Sequence, residues 1–457
     1  MTRPDQTRPD QTRPDQTRPD QTNYDFLYDK EYYIKNIHTE SLINKKLSYR
    51  VVENCTVLPY IEGVNEGGLF DSNGNYIIGS SFRDGGVWDI DAGNTICTKL
   101  SCVAENIGFS LEDIPFRNET VIHTGVLMGV WGHFITDSLR LLWFLNTLDY
   151  REKFSQCQLI CLQGSSFAAR YSENHRRLLE ILGVNTLMLV QITEPTKYER
   201  VILPDECFFM SKNRKYATAT QRKHFFTSEY VGIIDSVRAF AGRNTENFTP
   251  ERIYYSYSSY AGGKTFGEDK LERYFASKGY EIVHPESLSI DEQLIMLAGC
   301  RSFASTIGSC SHNIIFLPDN AEAILIPRSY YLNGYQSALD QVHNLNITYI
   351  DSSLSIFAGA KLYAGPHLYY ISKNLRKYFH DEDTSPMIDA SDFMKYMNAF
   401  PPADSPEAYM YYCPVAAEYF SHLFHIMKER SIREKLKGIP MLRAAVRAVK
   451  KMLRLIR

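Results

Sequence analysis

The sequence predicts an α/β protein made of two doubly wound units facing a cleft, and three observations predict it. From Arg252 onward, short β-rich runs alternate with helix-like stretches over short connections. A looser alternation precedes them, and an Asn- and Thr-rich stretch from Arg243 to Pro250 reads as the linker. With 457 residues the chain is also too long for one ordinary core.

In chain order, residues 2–21 are four copies of Thr-Arg-Pro-Asp-Gln, with no apolar side chain to offset the entropy of ordering. Residues 1–22 are therefore expected to be a disordered repeat. Residues 23–245 form the first unit. It opens on β-rich runs such as Tyr49–Val52 and Tyr76–Ile78, with Asn73-Gly74 as a hairpin turn. An apolar helix over 133–149, a strand at 158–162, a helix at 172–182, and strands near 187–190 and 200–203 follow. Residues 246–365 form the second unit, with strands at 252–257, 280–284, 302–305 and 323–326 and helices at 268–278, 289–299 and from Ser311. A parallel sheet results. Residues 366–457 read as a helical extension interrupted by Pro401-Pro402 and Pro406.

Composition excludes several classes. A net charge of -3 and a pI near 6.5 argue against a nucleic-acid binder. No run of about 18 apolar residues occurs, so neither a spanning helix nor an export leader is expected. The nine cysteines form no Cys-x-x-Cys pair and read as reduced thiols of a cytoplasmic protein. The four Asn-x-Ser/Thr matches, at Asn54, Asn118, Asn247 and Asn346, are then chance. The last 30 residues hold 11 Lys or Arg against 2 Glu, with Leu442, Val446, Val449, Leu453 and Ile456 at helical spacing. Residues 440–457 thus suit peripheral contact with an anionic membrane, or packing with a solvated basic face.

Three constellations can carry chemistry. His133, Asp137 and Arg140 fall at i, i+4 and i+7 of a greasy helix, a polar stripe that must face something polar. That partner is either a cleft, where His133 or Asp137 acts as general base, or the pair itself. Gly308-Ser309 follows a strand and precedes a helix that holds His312 and Asn313. Such a turn can approach a phosphate, or it can simply connect the elements. Lys264, after Gly262-Gly263, is either a diphosphate contact or an exposed loop lysine. The carboxylate pairs Asp89/Asp91 and Asp381/Asp383 have metal-ligand spacing but lie off the strand ends.

Together these segments resemble glycosyltransferase family 61, of the bacterial capsular polysaccharide or surface glycan type, over about residues 50–330. Gly132-His133-Phe134, Asp137-Ser138-Leu139 and Trp143 are similar to the family's N-terminal signature. Gly279-Tyr280-Glu281-Ile282-Val283, Pro285-Glu286, Leu288-Ser289 and Glu292-Gln293 are similar to its C-terminal run, and Gly308, Asn313 and Phe316 fall where it has its Gly-rich loop and Asn-x-x-Phe helix start. The resemblance implies a GT-B-like fold of two Rossmann-like domains. It also implies inverting transfer from a nucleotide-sugar donor to a polysaccharide or lipid-linked glycan, with no obligatory metal or other cofactor. Lys264, Glu268, Gly308, Ser309, His312 and Asn313 would bind the donor, His133 or Asp137 would be the base, and Arg140 would line the acceptor side. Three departures stand out, one being Ile307 in place of a His before the loop Gly, for which His312 can compensate from the helix start. Tyr257 replaces an Arg at the end of the first C-terminal strand, and Lys264 with Gly267-Glu268 replaces most of an Arg-x-x-Asn-Glu. They leave open a catalytically silent, glycan-binding or scaffolding relative. The pentapeptide is encodable as ACC AGA CCA GAC CAG, which is ACCAG three times over. Slippage by one five-base unit would shift the frame, so the repeat reads as an expression switch suited to a variable surface glycan, or as a flexible tail repeated at the peptide level.

Overall fold

The computed structural model describes residues 22–27, 30–31, 34, 40–61, 65–81, 88–89, 96–162, 172–210, 223–243, 250–259, 265–328, 332–354, 366–389 and a few positions up to 399. The pentapeptide repeat, Lys264 with its two glycines, Asp91 and the basic tail 440–457 lie outside the described residues.

The protein is mixed α/β and is built on two six-stranded sheets. The C-terminal one is wholly parallel, in the spatial order Glu281–Val283, Arg252–Tyr255, Ser302–Thr306, Glu322–Ile326, Asn346–Ile350, Asn23–Phe26. Its side chains alternate as a pleated strand requires. Ile253, Phe303, Ala323 and Leu325 enter one apolar cluster, while Tyr254, Ala304, Ile324 and Ile326 enter another. Helix Glu268–Ser277 covers the second face through Leu271 and Phe275, and helix Ile290–Gly299 covers the first through Leu294 and Leu297. Both faces are buried, hence the near-continuous apolar strands seen in the sequence. The strand order reverses between Arg252–Tyr255 and Ser302–Thr306. In an open α/β sheet the crevice for a ligand lies at the carboxyl ends of such a pair.

Strand Asn23–Phe26 departs from the reading that places it in the first unit. It pairs in parallel with Asn346–Ile350, and Tyr24 stacks on Tyr349 at 5.4 Å between ring centroids. Four residues with no pattern of their own take the open edge of the C-terminal sheet.

The N-terminal sheet runs Asn65–Phe70, Tyr49–Ile61, Thr196–Pro204, Phe116–Val126, Gln158–Leu162, Leu189–Ile192. The first two pairings are antiparallel and the rest parallel. The Asn73-Gly74 turn forms as expected: Gly74 N–H donates to the Asp71 carbonyl at 2.9 Å, with Gly74 at φ +70°. One apolar cluster joins Ile122, Leu159 and Ile202 of this sheet to Ile253, Phe303 and Leu325 of the other, by way of Ile233, Ile234 and Val237 of helix Ser228–Gly242. Arg177 also clasps Asp291 across the seam, with two hydrogen bonds of 3.0 Å. Over this part of the seam the two units are packed together and not parted by solvent.

Residues 131–146 are not the regular α-helix that the periodicity predicts. They run as an α-turn, Trp131–His133, a wide π-turn, Phe134–Ser138, and a 3-10 stretch, Leu139–Asn146. Hydroxyls compete for the backbone here. Thr136 donates to the Gly132 carbonyl at 2.9 Å, and Ser138 bridges the Val126 carbonyl and the Met128 N–H at 2.9 Å each. Ser138 thereby pins the segment to the carboxyl end of strand Phe116–Val126. Change of helix type is frequent at functional positions.

Cysteines Cys55, Cys157, Cys161, Cys207, Cys300 and Cys310 are free thiols, but Cys102 is disulfide-bonded. That corrects the expectation of nine reduced thiols and removes the support it lent to a cytoplasmic placement. Among the described residues no helix is long and apolar enough to cross a membrane.

Candidate functional site

The site forms where the α-turn Trp131–His133 of the first unit meets the Gly308-Ser309 turn of the second. The two turns are in direct contact. A Cβ at Gly132 would lie 2.8 Å from His312 Nδ1 and 3.1 Å from Ser309 Oγ, so only glycine fits. Beside it, Trp131 Nε1 donates to Asn313 Oδ1 at 2.9 Å, while the Asn313 amide nitrogen donates to the Cys310 carbonyl at 3.0 Å. Both ends of the Asn313 side chain are thus engaged in holding the seam.

His133 and Asp137 come together as the spacing predicts. His133 Nδ1 stands 2.9 Å from Asp137 Oδ2, with the histidine side chain 30% exposed and the carboxylate 9%. The carboxylate also accepts from the Tyr335 hydroxyl, at 3.1 and 3.0 Å to its two oxygens. The Tyr335 ring meets the His133 ring edge to face at 5.3 Å and lies 3.9 Å from that of His224. Neither Tyr335 nor His224 was legible as a site residue, because each is brought in from a distant part of the chain. With Nδ1–H held by the carboxylate, Nε2 is the ring nitrogen not engaged by Asp137, the tautomer a base requires.

Arg140 does not share this stripe. Its guanidinium forms a 2.7 Å ion pair with Glu206 and donates to the Ser81 carbonyl, and the residue is buried. The change from π to 3-10 geometry after Ser138 breaks the i, i+7 alignment that put it in the cleft, so the structure gives it a pairing within the first unit.

His312 is buried, and neither ring nitrogen makes a well-aligned hydrogen bond among the described residues. Burial first, then the neighbouring His133, pushes its pKa down to about 3, while the Gly132 peptide and Asp137 pull the other way. It is a neutral imidazole at any physiological pH. The helix expected from Ser311 is a six-residue 3-10 turn, Ser311–Phe316, and the Gly308 N–H already donates to Ser311 Oγ at 3.0 Å. No long helix dipole therefore stands at this turn.

On the far side of Gly308 lies Arg328, which the sequence reading passed over. A Cβ at Gly308 would meet its Cζ and Nη1 at 3.0 Å. Its Nη2 donates to Thr306 Oγ1 at 3.2 Å, and its guanidinium stacks 4.5 Å over the Tyr257 ring. Glu268 completes this group: Oε1 accepts from the Tyr257 N–H at 2.9 Å, closing the end of strand Arg252–Tyr255. Burial raises the Glu268 pKa to about 7, opposed mainly by the positive charge of Arg328. Asp381, by contrast, is neutralised by Lys278 and Arg376 and receives the Tyr274 hydroxyl, a donor set unlike that of a metal ligand.

The Glu268 shift has a sign that can be tested. Unfolded, the carboxyl has the ordinary value of 4.5, so between 4.5 and about 7 the folded state keeps a proton that the unfolded state releases. Stability from this group is full below pH 4.5 and is lost as pH rises through about 7. Glu268→Gln should therefore gain on the wild type by about 2 to 3 kcal/mol in unfolding free energy between pH 5 and pH 8. Urea denaturation across that range measures it. A difference that does not vary with pH would show the carboxyl ionised throughout.

Residues 131–324 match the family model described as Glycosyltransferase 61. The matched segment belongs to glycosyltransferase family 61. It begins at Trp131 of the α-turn and ends within strand Glu322–Ile326, so it contains both turns of the site. Arg328 and Tyr335 lie beyond it. No curated protein matches the chain. The family is one of glycosyltransferases.

Proposed function

We propose that the protein is an inverting glycosyltransferase that moves a sugar from a nucleotide-sugar donor to a surface polysaccharide or a lipid-linked glycan. The observation that carries this reading is the His133–Asp137–Tyr335 group packed against the Gly308-Ser309 turn at the strand switch point. An acceptor hydroxyl is too weak an acid to attack unaided. His133 Nε2 takes its proton as the oxygen bonds to the anomeric carbon, and the bond from that carbon to the diphosphate oxygen breaks. One displacement inverts the centre. Asp137 holds the ring and stabilises the imidazolium, and His312, kept neutral by burial, adds no second charge beside it. Donor contacts fall to Gly308 and Ser309, with Lys264 as a further one, while buried Glu268 closes the strand end and His312 and Asn313 hold the turn against the first unit.

We read the two sheets as a GT-B arrangement and the reaction as independent of a bound metal. A peripheral place on an anionic membrane rests on the basic amphipathic pattern of 440–457, and variable expression rests on the pentapeptide repeat.

A screen of nucleotide sugars on the purified full chain, with lipid-linked and polysaccharide acceptors, tests the reading. Release of nucleoside diphosphate from one donor, dependent on acceptor and unchanged by EDTA, is expected. Abolition by EDTA would overturn the metal-free mechanism. Glycan binding with neither donor binding nor turnover would establish a scaffold instead.

A further inference from the structure

We propose that Arg328 is the cation that grips the donor's diphosphate, a role that deepens the reading above and rests on it. The argument begins with topology. Tyr257, Gly308 and Arg328 follow the carboxyl ends of three adjacent parallel strands, Arg252–Tyr255, Ser302–Thr306 and Glu322–Ile326, and the first two of these flank the point where the strand order reverses. A ligand of an open parallel sheet sits at that edge. The sheet beneath is buried, whereas Gly308, Ser309 and Arg328 are each only partly buried, with Arg328 Nε enclosed.

The guanidinium is fixed there from three sides. Tyr257 supplies a face at 4.5 Å, Thr306 accepts one N–H at 3.2 Å, and Gly308 lies against it so closely that a Cβ would stand 3.0 Å from Cζ. A guanidinium held in plane presents a rigid fork of donors suited to two phosphoryl oxygens at once. The negative groups acting on it are buried or weakly acidic: Tyr369, Glu268, Cys310 and Tyr257. Its position relative to the base is the second argument. The Gly308-Ser309 turn is touched by Arg328 on one side and by Gly132, the neighbour of His133, on the other. A diphosphate laid on the turn against Arg328 places its sugar toward His133. As the bond to the sugar breaks, the leaving oxygen gains the negative charge that a fixed cation stabilises.

Calorimetry on the full chain tests this without turnover. UDP, GDP, CDP, ADP and dTDP are titrated into wild type, and the one that binds is compared with its nucleoside in Arg328→Lys and Arg328→Gln. Loss of a bidentate charged contact is expected to weaken the diphosphate about 10-fold for lysine and about 100-fold for glutamine, with the nucleoside unchanged. A purely structural Arg328 would lower the melting temperature and weaken both ligands alike, which would overturn the assignment, as would undiminished diphosphate binding. Should the glutamine variant fail to fold, the charge-conserving lysine variant decides. If wild type binds a diphosphate and the variants bind it equally, Arg328 alone is wrong. If wild type binds none, the donor site itself is misplaced and the assignment falls with it.

Discussion

Replacing His133 with alanine should lower kcat/KM for sugar transfer by about 10²- to 10⁴-fold, the range for loss of a general base. The nucleoside diphosphate should still bind, because no contact assigned to the diphosphate comes from His133. Asp137→Asn should cost nearly as much, for a different reason. An asparagine rotated to keep the His133 contact through its NH₂ forces the proton to Nε2, so the ring can no longer accept one. Rotated the other way, it keeps the tautomer but loses the charge that stabilises the imidazolium. In either case the acid limb of the kcat/KM profile should disappear or move along with the rate, which a loss of packing would not produce. Single-turnover rates across pH, on variants whose melting temperatures match wild type, make the comparison. An Asp137→Asn enzyme within threefold of wild type, with its pH profile intact, would reduce the carboxylate to a partner for Tyr335. The Tyr335 hydroxyl, bonded to both Asp137 oxygens, holds the carboxylate together with His133.

The parts of this site that could be read from the sequence share one property: they depend on residues close together in the chain. Strand and helix alternation from Arg252 to Ile326 is local, and the elements read there fall within two residues of where the pattern puts them, whereas helix Gly334–Leu339 and strands Asn346–Ile350 and His367–Tyr369 were not read. The His133–Asp137 pair is separated by four residues, and an α-turn or a π-turn leaves it in contact. Arg140 lies one turn further along and inherits the accumulated change in pitch, which hydroxyl competition at Thr136 and Ser138 produced and no hydrophobic period records. Tyr335 and Arg328 were illegible for another reason. Tyr335 meets Asp137 across a separation of 198 residues, and Arg328 reaches Thr306 from 22 residues away, past an intervening strand end. A signal for Arg328 did exist: a strongly basic residue two positions after a buried parallel strand must stand at the carboxyl edge where ligands bind. The same limit applies to Asn23–Phe26, whose place at the edge of the C-terminal sheet is set by Asn346–Ile350, over 300 residues on.

Gly267→Ala should destabilise the protein by more than about 3 kcal/mol, the largest stability effect expected of a single methyl group here. Two costs coincide. Gly267 has φ +79°, in the left-handed region that disfavours a side chain by about 1 kcal/mol, and its Cβ would stand 2.2 Å from the Tyr369 carbonyl oxygen. That oxygen belongs to backbone, on the strand His367–Tyr369 that pairs with Thr265–Phe266, so relief requires the two strands to part. Gly183→Ala is the control: φ is +81° but nothing lies within 4 Å of its Cβ, so only the conformational cost of about 1 kcal/mol applies. The difference between the two in urea denaturation isolates the steric part. The consequence also reaches the donor edge, since Gly267 leads directly into Glu268, whose carboxyl holds the Tyr257 N–H beneath Arg328. A Gly267→Ala protein that still folds should therefore lose diphosphate affinity, while Gly183→Ala retains it. Equal stability of the two variants would mean that the strand around Tyr369 yields without cost, and the rigid seat drawn for Arg328 would then lose one of its walls.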